Sequence, residues 1–332
     1  MHSLPDVSLR YGSLQVFHSL EEYKESGVCK IPGAVTLGKF DGVHIGHQKL
    51  IRKIMDFAHA NSISSIVFAI EIQDRPILSH EERAVYLESL GVDILVECPF
   101  SREFMSMRAE TFAREVLSET MHASYVCVGT DFGFGCRREG TASMLADLGR
   151  QYGFQVEIAA KERLFQEDVS SSRVRKALAK GDMKLANALL GRPYPVMGIV
   201  QHGRHLGTGI GVPTVNVHPG ANKILPPDGV YASCTRLPDQ TIRTGITNLG
   251  IRPTVGGKTR KAETTLFDFQ ADLYGQTIQT DLLDYLRPEH KFSSLDELKS
   301  QIGRDRESAL AILPDECDRF YGGPAFEFHG QG

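Results

Sequence analysis

The first half of the chain alternates two patterns of apolar residues. Short continuous apolar runs, typical of buried strands, are separated by segments in which apolar residues recur every three or four positions, as on one face of a helix. This β-α-β alternation predicts a mostly parallel sheet with helices on both faces. The predicted strands are 34–37, 67–70, 92–96, 125–128 and 155–159. One predicted helix follows His47, a second follows Ser79, a third includes Phe112 and a fourth spans 144–152.

A different pattern begins near residues 191–195, where a glycine and two prolines interrupt the helical periodicity. Short β-rich segments follow, separated by glycine and proline, and this spacing predicts a small antiparallel barrel. A final helix is expected to begin near Ser294, and a loose tail is expected over the last dozen residues. The predicted strands of this half are 196–201, 212–217, 230–235, 244–248, 263–269 and 277–285.

Composition limits the class of protein. At 332 residues the chain is long enough for about two domains. The net charge of −4 argues against nucleic acid as the main partner. The six cysteines form no CxxC pair, which favours free thiols in a reducing cytosol. With neither a signal peptide nor an apolar run of membrane-spanning length, we expect a cytoplasmic protein that binds no membrane.

Two histidines, His44 and His47, bracket Gly46 where strand 34–37 gives way to a helix. Backbone N–H groups at a helix start are unpaired, and the helix dipole favours negative charge. Imidazoles beside such a position can donate to a triphosphate, and glycines let the backbone approach phosphates closely. The pattern resembles the HxGH signature of nucleotidyltransferases. The alternatives are surface histidines or half of a metal site, although no nearby cysteine or carboxylate cluster completes a zinc shell.

Two further segments of the first half carry candidate ligand groups. Three hydroxyls, at 170–172, precede a helix that carries Arg173 and Arg175, and such groups can hold phosphate. An ordinary helix cap followed by solvated arginines is the alternative. The loop 129–135 has three glycines, two phenylalanines and one carboxylate after a strand, so it can lie against a planar ring. A buried turn with core phenylalanines is equally compatible with that pattern.

The second half holds a glycine-rich loop and a carboxylate. Glycines at 207, 209 and 211 would let main-chain N–H groups cradle phosphate, and Thr214 and Asn216 supply oxygen ligands that suit Mg²⁺. A flexible hairpin is the alternative. Glu263 begins an alternating strand, where a carboxylate can deprotonate an alcohol for attack on a γ-phosphoryl group. A strand-end glutamate is otherwise a common surface residue.

Together these segments resemble the bacterial bifunctional riboflavin kinase/FAD synthetase family over residues 12–318. The resemblance rests on their order and spacing: GKFDGVHIGHQ, VGTDFGFG, VSSSRVRKAL, LGRPYPVMGIVQHG, GIGVPTVN, DGVYA, GITNLGIRPTVGG, AETTLFDF, LYG and LRPEHKF. It implies a Rossmann-like nucleotidyltransferase domain over 12–190 that adenylylates FMN to FAD. It also implies a six-stranded antiparallel β-barrel domain over 191–318, with a C-terminal helix, that phosphorylates riboflavin to FMN. ATP, riboflavin and FMN are then the substrates, with Mg²⁺ as the cofactor.

The resemblance also implies roles for particular residues. His44, His47, Arg175 and Glu263 would be catalytic, and Thr214 and Asn216 would bind the metal. The flavin-side residues would be Asp131, Phe132, Phe134 and Arg287. The phosphate-side residues would be Gly38, Asp41, Gly46, Ser171, Ser172, Gly207, Gly209 and Gly211.

One segment departs from the family pattern. The family usually shows Phe-Asp-Pro-His-Pro after the second strand, whereas residues 68–76 here read FAIEIQDRP. A riboflavin kinase with an inactive FAD synthetase domain is therefore an alternative. A non-catalytic flavin-binding module and an HxGH adenylyltransferase for another substrate, such as a nicotinate or pantetheine phosphate, are others. The sequence leaves the oligomeric state open.

Overall fold

The computed structural model describes residues 10–11, 13–71, 75–201, 214–220, 222–254 and 257–321. Contacts divide the chain into two compact units, Met1–Ser171 and Ser172–Gly332.

The first unit is built on a seven-stranded sheet in the order β1-β2-β5-β4-β3-β6-β9. All neighbouring strands pair in parallel except β1 and β2, which confirms the predicted sheet. Two small hairpins, β7–β8 and β10–β11, follow its last strands. The strands are β1 (Arg10–Tyr11), β2 (Leu14–Phe17), β3 (Gly33–Gly38), β4 (Ser64–Ile70), β5 (Ile94–Cys98), β6 (Ala123–Gly129), β7 (Gly133–Phe134), β8 (Gly140–Thr141), β9 (Gln155–Ala159), β10 (Arg163–Leu164) and β11 (Glu167–Asp168).

Helices cover both faces of this sheet. Successive residues of a strand point to opposite faces, so Val35 and Leu37 join one buried apolar cluster and Ala34 joins another. A capping box at Ser79 begins α3, the helix predicted to follow that residue. The helices are α1 (Leu20–Glu25), α2 (Ile45–Asn61), α3 (His80–Ser89), α4 (Arg102–Ser106), α5 (Ala109–Thr111), which continues as a π-helix over Phe112–Thr120, and α6 (Ala142–Tyr152).

Strand order reverses beside β3. From β3 the chain builds outward through β4 and β5 on one side, and through β6 and β9 on the other. In parallel sheets, ligands bind at the carboxyl ends of the strands that flank such a reversal. The loop after β3 carries His44, and the loop after β6 carries Asp131. The topology therefore brings two of the predicted ligand loops to the same edge of the sheet.

The second unit contains a closed barrel in the order β12-β13-β16-β15-β14-β17, with antiparallel pairing throughout. This confirms the predicted six-stranded barrel. Ser294 caps α9, as expected, and a further helix, α10, follows it. The elements are α7 (Ser171–Lys180), α8 (Met183–Leu190), β12 (Tyr194–Gln201), β13 (Thr214–Val217), β14 (Gly229–Arg236), β15 (Ile242–Thr254), β16 (Gly257–Leu266), β17 (Thr277–Arg287), α9 (Leu295–Leu310) and α10 (Leu313–Tyr321).

The barrel strands separate an outer face from a polar interior. Val230, Ala232 and Cys234 of β14 belong to the apolar cluster that includes Ala309 of α9 and Leu313 of α10. The alternate residues point into the barrel, where buried hydroxyl groups bond to one another across the strands. The bonded pairs are Thr247 with Ser233 at 2.8 Å, Thr247 with Thr264 at 2.9 Å and Thr235 with Thr280 at 3.0 Å.

Helix α8 is tied to the barrel by one buried amide. The Asn187 side chain donates to the carbonyl oxygens of Leu282 and Leu283 and accepts from the backbone N–H of Tyr194. These bonds tie α8 to the barrel, and the second compact unit begins at Ser172, whereas the sequence pattern expects the domain boundary at residues 190 and 191. The tail expected after α10 lies outside the described residues.

Candidate active sites on the two units

The predicted histidine motif is the start of α2. His44 is the N-cap residue, and its Nδ1 accepts a hydrogen bond from the backbone N–H of His47 at 3.3 Å. The two imidazole rings stack, with centroids 3.7 Å apart and planes 11° apart. Both histidines therefore form one rigid pair at the positive end of a 17-residue helix, a position that favours anions.

The environment of His47 keeps its imidazole neutral. Burial, together with the neighbouring His44, lowers the pKa of His47 well below its usual value of 6.5. Its Nδ1 is buried and has no hydrogen-bond partner among the described residues. A buried polar atom without a partner is costly in a folded protein, so it points to a ligand that satisfies this nitrogen.

Backbone strain shapes the turn before these histidines. Phe40, Gly42 and Val43 all have left-handed φ values, of 45°, 84° and 42°. Such a conformation costs on the order of 1–3 kcal/mol for a residue with a side chain. Phe40 and Val43 are fully buried, so packing holds the strained turn in place. Strain that packing maintains is typical of ligand-binding turns.

Gly46 has a direct packing reason to be glycine. A Cβ at this position would lie 3.2 Å from two atoms of the His44 ring. At Gly38, at the end of β3, a Cβ would lie 3.4 Å from the nearest atom of the Phe40 ring, which is an ordinary van der Waals contact. Of the two glycines, Gly46 is therefore the one that makes room for a ring of the turn.

Asp41 and Ser171 close the turn against other segments. The Asp41 carboxylate accepts a hydrogen bond from the backbone N–H of Ile77 at 2.7 Å, and its backbone carbonyl accepts one from the Ser171 hydroxyl at 2.9 Å. The structure thus brings predicted residue Ser171 to the histidine turn. Ser172 and Arg175 lie on α7 in the second unit, and their roles at phosphate stay predictions.

The predicted flavin-side residues of the loop after β6 differ in burial and in their contacts. Phe132 and Phe134 stack with centroids 5.5 Å apart, but Phe134 is buried in the apolar cluster against Phe112. Phe132 is only half-buried. Asp131 is paired with Lys161 at 3.2 Å. The geometry leaves Phe132, more than Phe134, with surface that a planar ring could cover.

On the barrel, strand pairing collects the predicted kinase residues. Asn216 of β13 lies directly opposite Glu263 of β16, and Thr214 shares the face of Asn216 because it is two residues away on the same strand. The neighbours of Glu263, Ala262 and Thr264, are buried in the interior of the barrel. Thr214, Asn216 and Glu263 therefore share the outer face of two adjacent strands.

Asn248 adjoins this group and was not singled out by the sequence. It lies opposite Glu263 on the other side, in β15. Its Nδ2 donates to Glu289 at 3.3 Å, while its Oδ1 is buried without a partner in the described part of the chain. The segment GITNLGIRPT belonged to the resemblance, but no feature of its sequence distinguishes the asparagine from an ordinary strand residue.

Arg287, predicted on the flavin side, is committed to an ion pair. Its Nε and Nη2 donate to the two carboxylate oxygens of Asp305 on α9, each at 2.7 Å. This bidentate contact attaches α9 to β17. A flavin-side role for the segment that contains Arg287 stays a prediction. Gly207, Gly209 and Gly211 lie outside the described residues.

An ionic cluster centred on the buried Glu97 lies beside the segment that departs from the family pattern. Glu97, at the end of β5, accepts from Arg83 and from His80 of α3, and from His18 at 2.9 Å. Glu71, His80 and Glu97 present ligand atoms within 4.8 Å of one another, as a metal site would. The Arg83 guanidinium contacts both Glu97 and His80 Nδ1, so an organic cation already balances these groups.

No helix within the described ranges combines the length and the apolar character needed to cross a bilayer.

Comparison with known proteins assigns a family to each half. A family model described as FAD synthetase matches residues 29–173, and one described as riboflavin kinase matches residues 190–313. The FAD synthetase match includes the departing segment, which favours two activities over the kinase-only alternative.

Similar proteins cover nearly the whole chain. The bifunctional riboflavin kinase/FMN adenylyltransferase of Haemophilus influenzae is 36% identical over 290 residues, which cover 84% of this chain and 94% of the relative. The enzyme of the same description from Escherichia coli K12 is 35% identical over 305 residues, covering 88% and 95%. A crystal structure of a macrolide-efflux protein from Streptococcus pneumoniae has a TM-score of 0.76 and 29% identity, and covers 90% of this chain and 99% of that one.

The two family models thus match in the order of the two structural units, and the relatives align over almost their full length. On these grounds, the chain belongs to the family of bifunctional riboflavin kinase/FMN adenylyltransferases.

Proposed function

We propose that the two activities of this bifunctional enzyme reside at the two sites described above. The barrel phosphorylates riboflavin to FMN with one ATP, and the parallel sheet adenylylates FMN to FAD with a second ATP. The observation that carries the proposal is the strand register that places Thr214 and Asn216 on the same face as Glu263. A carboxylate beside two oxygen donors is the arrangement that phosphoryl transfer to an alcohol requires.

In the kinase reaction, Glu263 is the general base. Its carboxylate accepts the proton of the ribityl 5′-hydroxyl as that oxygen attacks the γ-phosphorus of ATP and ADP leaves. General-base catalysis of this kind contributes about 10²- to 10⁴-fold to a rate. The position of Glu263, on the outer face of the barrel and half-buried, leaves it accessible to a substrate.

Thr214 and Asn216 are the proposed ligands of Mg²⁺. A hydroxyl and an amide oxygen are hard donors, and Mg²⁺ in nucleotide sites takes few protein ligands besides water and phosphate oxygens. The two side chains lie on one face of β13, next to the carboxylate of the strand that pairs with it. When bound, Mg²⁺ neutralises charge on the phosphates of ATP. Gly207, Gly209 and Gly211 are proposed to contact those phosphates through their N–H groups.

In the adenylyl reaction, the FMN phosphate attacks the α-phosphorus of ATP and pyrophosphate leaves. His44 and His47 are proposed to donate hydrogen bonds to the phosphates, and Arg175 to stabilise the pyrophosphate. Gly38, Asp41, Gly46, Ser171 and Ser172 shape the phosphate side. No protein nucleophile is needed, because positioning and fixed positive charge supply most of the acceleration. The stacked ring pair at the start of α2 supports this role.

The remaining assignments follow from the same proposal. Asp131, Phe132, Phe134 and the segment of Arg287 form flavin-side walls, with Phe132 the most accessible ring. The functional domains are 12–190 and 191–318. We place the enzyme in the cytoplasm, where its free cysteines stay reduced. Its partners are the small molecules ATP, riboflavin and FMN rather than nucleic acid or a membrane.

Two single substitutions test the assignment of sites. Glu263→Gln removes the base and keeps the shape, so FMN formation from riboflavin should fall by at least about 10²-fold while FAD formation from supplied FMN continues. His44→Asn removes the imidazole but keeps an N-cap acceptor, so FAD formation should fall by about 10²-fold or more while FMN formation continues. Chromatography of reactions with ATP and Mg²⁺ separates riboflavin, FMN and FAD.

Each variant serves as the folding control for the other, because each is expected to retain one activity in full. Normal phosphorylation of riboflavin by Glu263→Gln would exclude Glu263 as the base. Undiminished FAD synthesis by His44→Asn would remove that histidine from the adenylyl step.

A further inference from the structure

Asn248 belongs to the polar group on the barrel, but the proposed reaction leaves it without a role. Register places Asn216, Glu263 and Asn248 in one row across β13, β16 and β15. Directly opposed side chains of an antiparallel pair share a face, with Cβ atoms about 4.5–5.5 Å apart. The flanking Thr247 and Leu249 are buried in the barrel interior, so Asn248 shares the outer face with Glu263.

The orientation of the Asn248 amide follows from its contact with Glu289. Glu289 Oε1 lies 3.3 Å from Nδ2 of Asn248. An ionised carboxylate only accepts hydrogen bonds, so the nitrogen must face Glu289 and the oxygen must face the opposite way. Oδ1 is then a buried acceptor with no donor among the described residues. An acceptor left in this state destabilises the folded protein, which is a reason to expect a ligand that donates to it.

We propose that Asn248 binds the polyol chain of the flavin substrate, accepting a hydrogen bond from the hydroxyl next to the one that attacks ATP. The inference rests on the proposed kinase site. The attacking hydroxyl gives its proton to Glu263, so it has no proton left for a second acceptor. A vicinal hydroxyl lies one carbon away along the chain, and Asn248 lies one strand away from Glu263. The asparagine thereby selects a substrate with adjacent hydroxyls and determines which hydroxyl lies beside Glu263.

Steady-state kinetics of Asn248→Ala test this proposal. Loss of one hydrogen bond to substrate should lower kcat/KM for riboflavin about tenfold and leave the KM for ATP unchanged. The kcat/KM of the wild-type enzyme should fall by a similar factor when riboflavin is replaced by an analogue that lacks the 4′-hydroxyl. Because both changes delete the same contact, the substitution should cause no further loss with that analogue. Asn248→Ser keeps an acceptor on a shorter side chain, so its kcat/KM for riboflavin should lie between those of the wild type and Asn248→Ala.

The outcomes separate the possible failures. If Asn248→Ala lowered kcat/KM by the same factor with riboflavin and with the analogue, Asn248 would act elsewhere and the inference would be overturned. A raised KM for ATP or Mg²⁺ in this variant would overturn it as well. A wild-type enzyme that does not phosphorylate riboflavin would instead overturn the proposed function. FAD formation from supplied FMN reports whether the variant protein is intact, since that reaction is assigned to a different site.

Discussion

The stacking of His44 on His47 depends on the absence of a side chain at Gly46. The His44 ring occupies the space into which a Cβ at this position would project, at 3.2 Å from Cε1 and Nδ1. A contact of that length requires the ring to move by a few tenths of an ångström. His44 Nδ1 also caps the helix, so a shifted ring loses alignment with both the His47 N–H and any phosphate.

Gly46→Ala should therefore weaken FAD synthesis by about tenfold or more, since displacement by a fraction of an ångström at a phosphate site is costly. FMN formation should be unchanged. The measurement is kcat/KM for FMN and ATP, in a protein whose thermal midpoint is recorded in parallel.

Gly303→Ala is the matched control. Gly303 lies inside α9, and a Cβ there meets no atom of the described residues within 4 Å. Alanine in place of glycine in a helix interior stabilises by roughly 0.5–1 kcal/mol, so both activities should persist and the thermal midpoint should rise or hold. If Gly46→Ala left FAD synthesis as active as Gly303→Ala does, the space beneath His44 would have no functional importance.

At this scale the sequence predicted that His44 and His47 lie at a helix start, but it did not predict which distant residues contact each other, and the chemistry of the site stays a prediction. The spacing of His44 and His47 indicated a phosphate site because helix starts attract anions regardless of context. Three contacts depend on residues far apart in the chain: the Arg287–Asp305 pair, the bond from Ser171 to Asp41, and the row that adds Asn248 to Glu263. No local pattern encodes them, so only the folded structure reveals them.

Among the elements, β5 and α3 are joined by the ionic cluster around Glu97. Burial alone would disfavour the charged carboxylate, but hydrogen bonds and charge from His80 and Arg83 outweigh it and lower the pKa of Glu97 to about 2. The same contact with Glu97 raises the pKa of His80 above its usual 6.5. The cluster thus links stability of the first unit to pH.

We expect acid to weaken this unit through Glu97. A carboxyl whose pKa falls from 4.5 to about 2 on folding stabilises the native state above pH 4.5, by on the order of 3 kcal/mol. That contribution is lost as the pH falls from 4.5 toward 2. Thermal midpoints of wild type and Glu97→Gln should therefore converge on acidification through this window. Midpoints that stay separated by a constant amount would show that Glu97 is not protonated there.

His80 acts with the opposite sign. Its raised pKa means that its contribution is complete below pH 6.5 and disappears as the pH rises through the folded-state value. His80→Gln should accordingly differ from wild type most at mildly acidic pH and least in alkaline buffer, which the same melting curves measure.

Element types could be predicted from the sequence, but their ends could not. The strand predicted over 244–248 runs from Ile242 to Thr254, and the one predicted over 263–269 runs from Gly257 to Leu266. Gly250 and Pro253 lie within the first of these strands, although glycine and proline in a sequence normally argue against a continuous strand. In the barrel, β16 pairs along its whole length with residues 245–254 of β15, and this pairing overrides the local signal.

For the whole molecule, the proposal that the two reactions use separate sites has a consequence for mixtures. Glu263→Gln is expected to form FMN at least about 10²-fold more slowly and His44→Asn to form FAD more slowly by about 10²-fold or more, yet each is expected to keep the other activity. An equimolar mixture of the two variants should therefore convert riboflavin to FAD, because FMN released by one protein can bind the other. Product analysis over time should show FMN before FAD.

The double variant, Glu263→Gln with His44→Asn, is the control and should form both products only slowly, with each rate about 10²-fold or more below that of the wild type. A mixture that accumulates FMN without FAD would contradict the assignment, since the Glu263→Gln partner is expected to retain full adenylyl activity.

The arrangement of strands also affects how this protein behaves in concentrated solution. The described strands of the second unit form a closed barrel, so this sheet has no edge strand. The sheet of the first unit ends on one side at β1, which has two residues, and on the other at β9, whose central Glu157 pairs with Lys53. Short or charged edge strands are poor templates for the intermolecular β-sheets from which fibrils grow. Among the described strands, neither sheet offers a long apolar border, so crowding should not readily drive copies of this chain to assemble through their backbones.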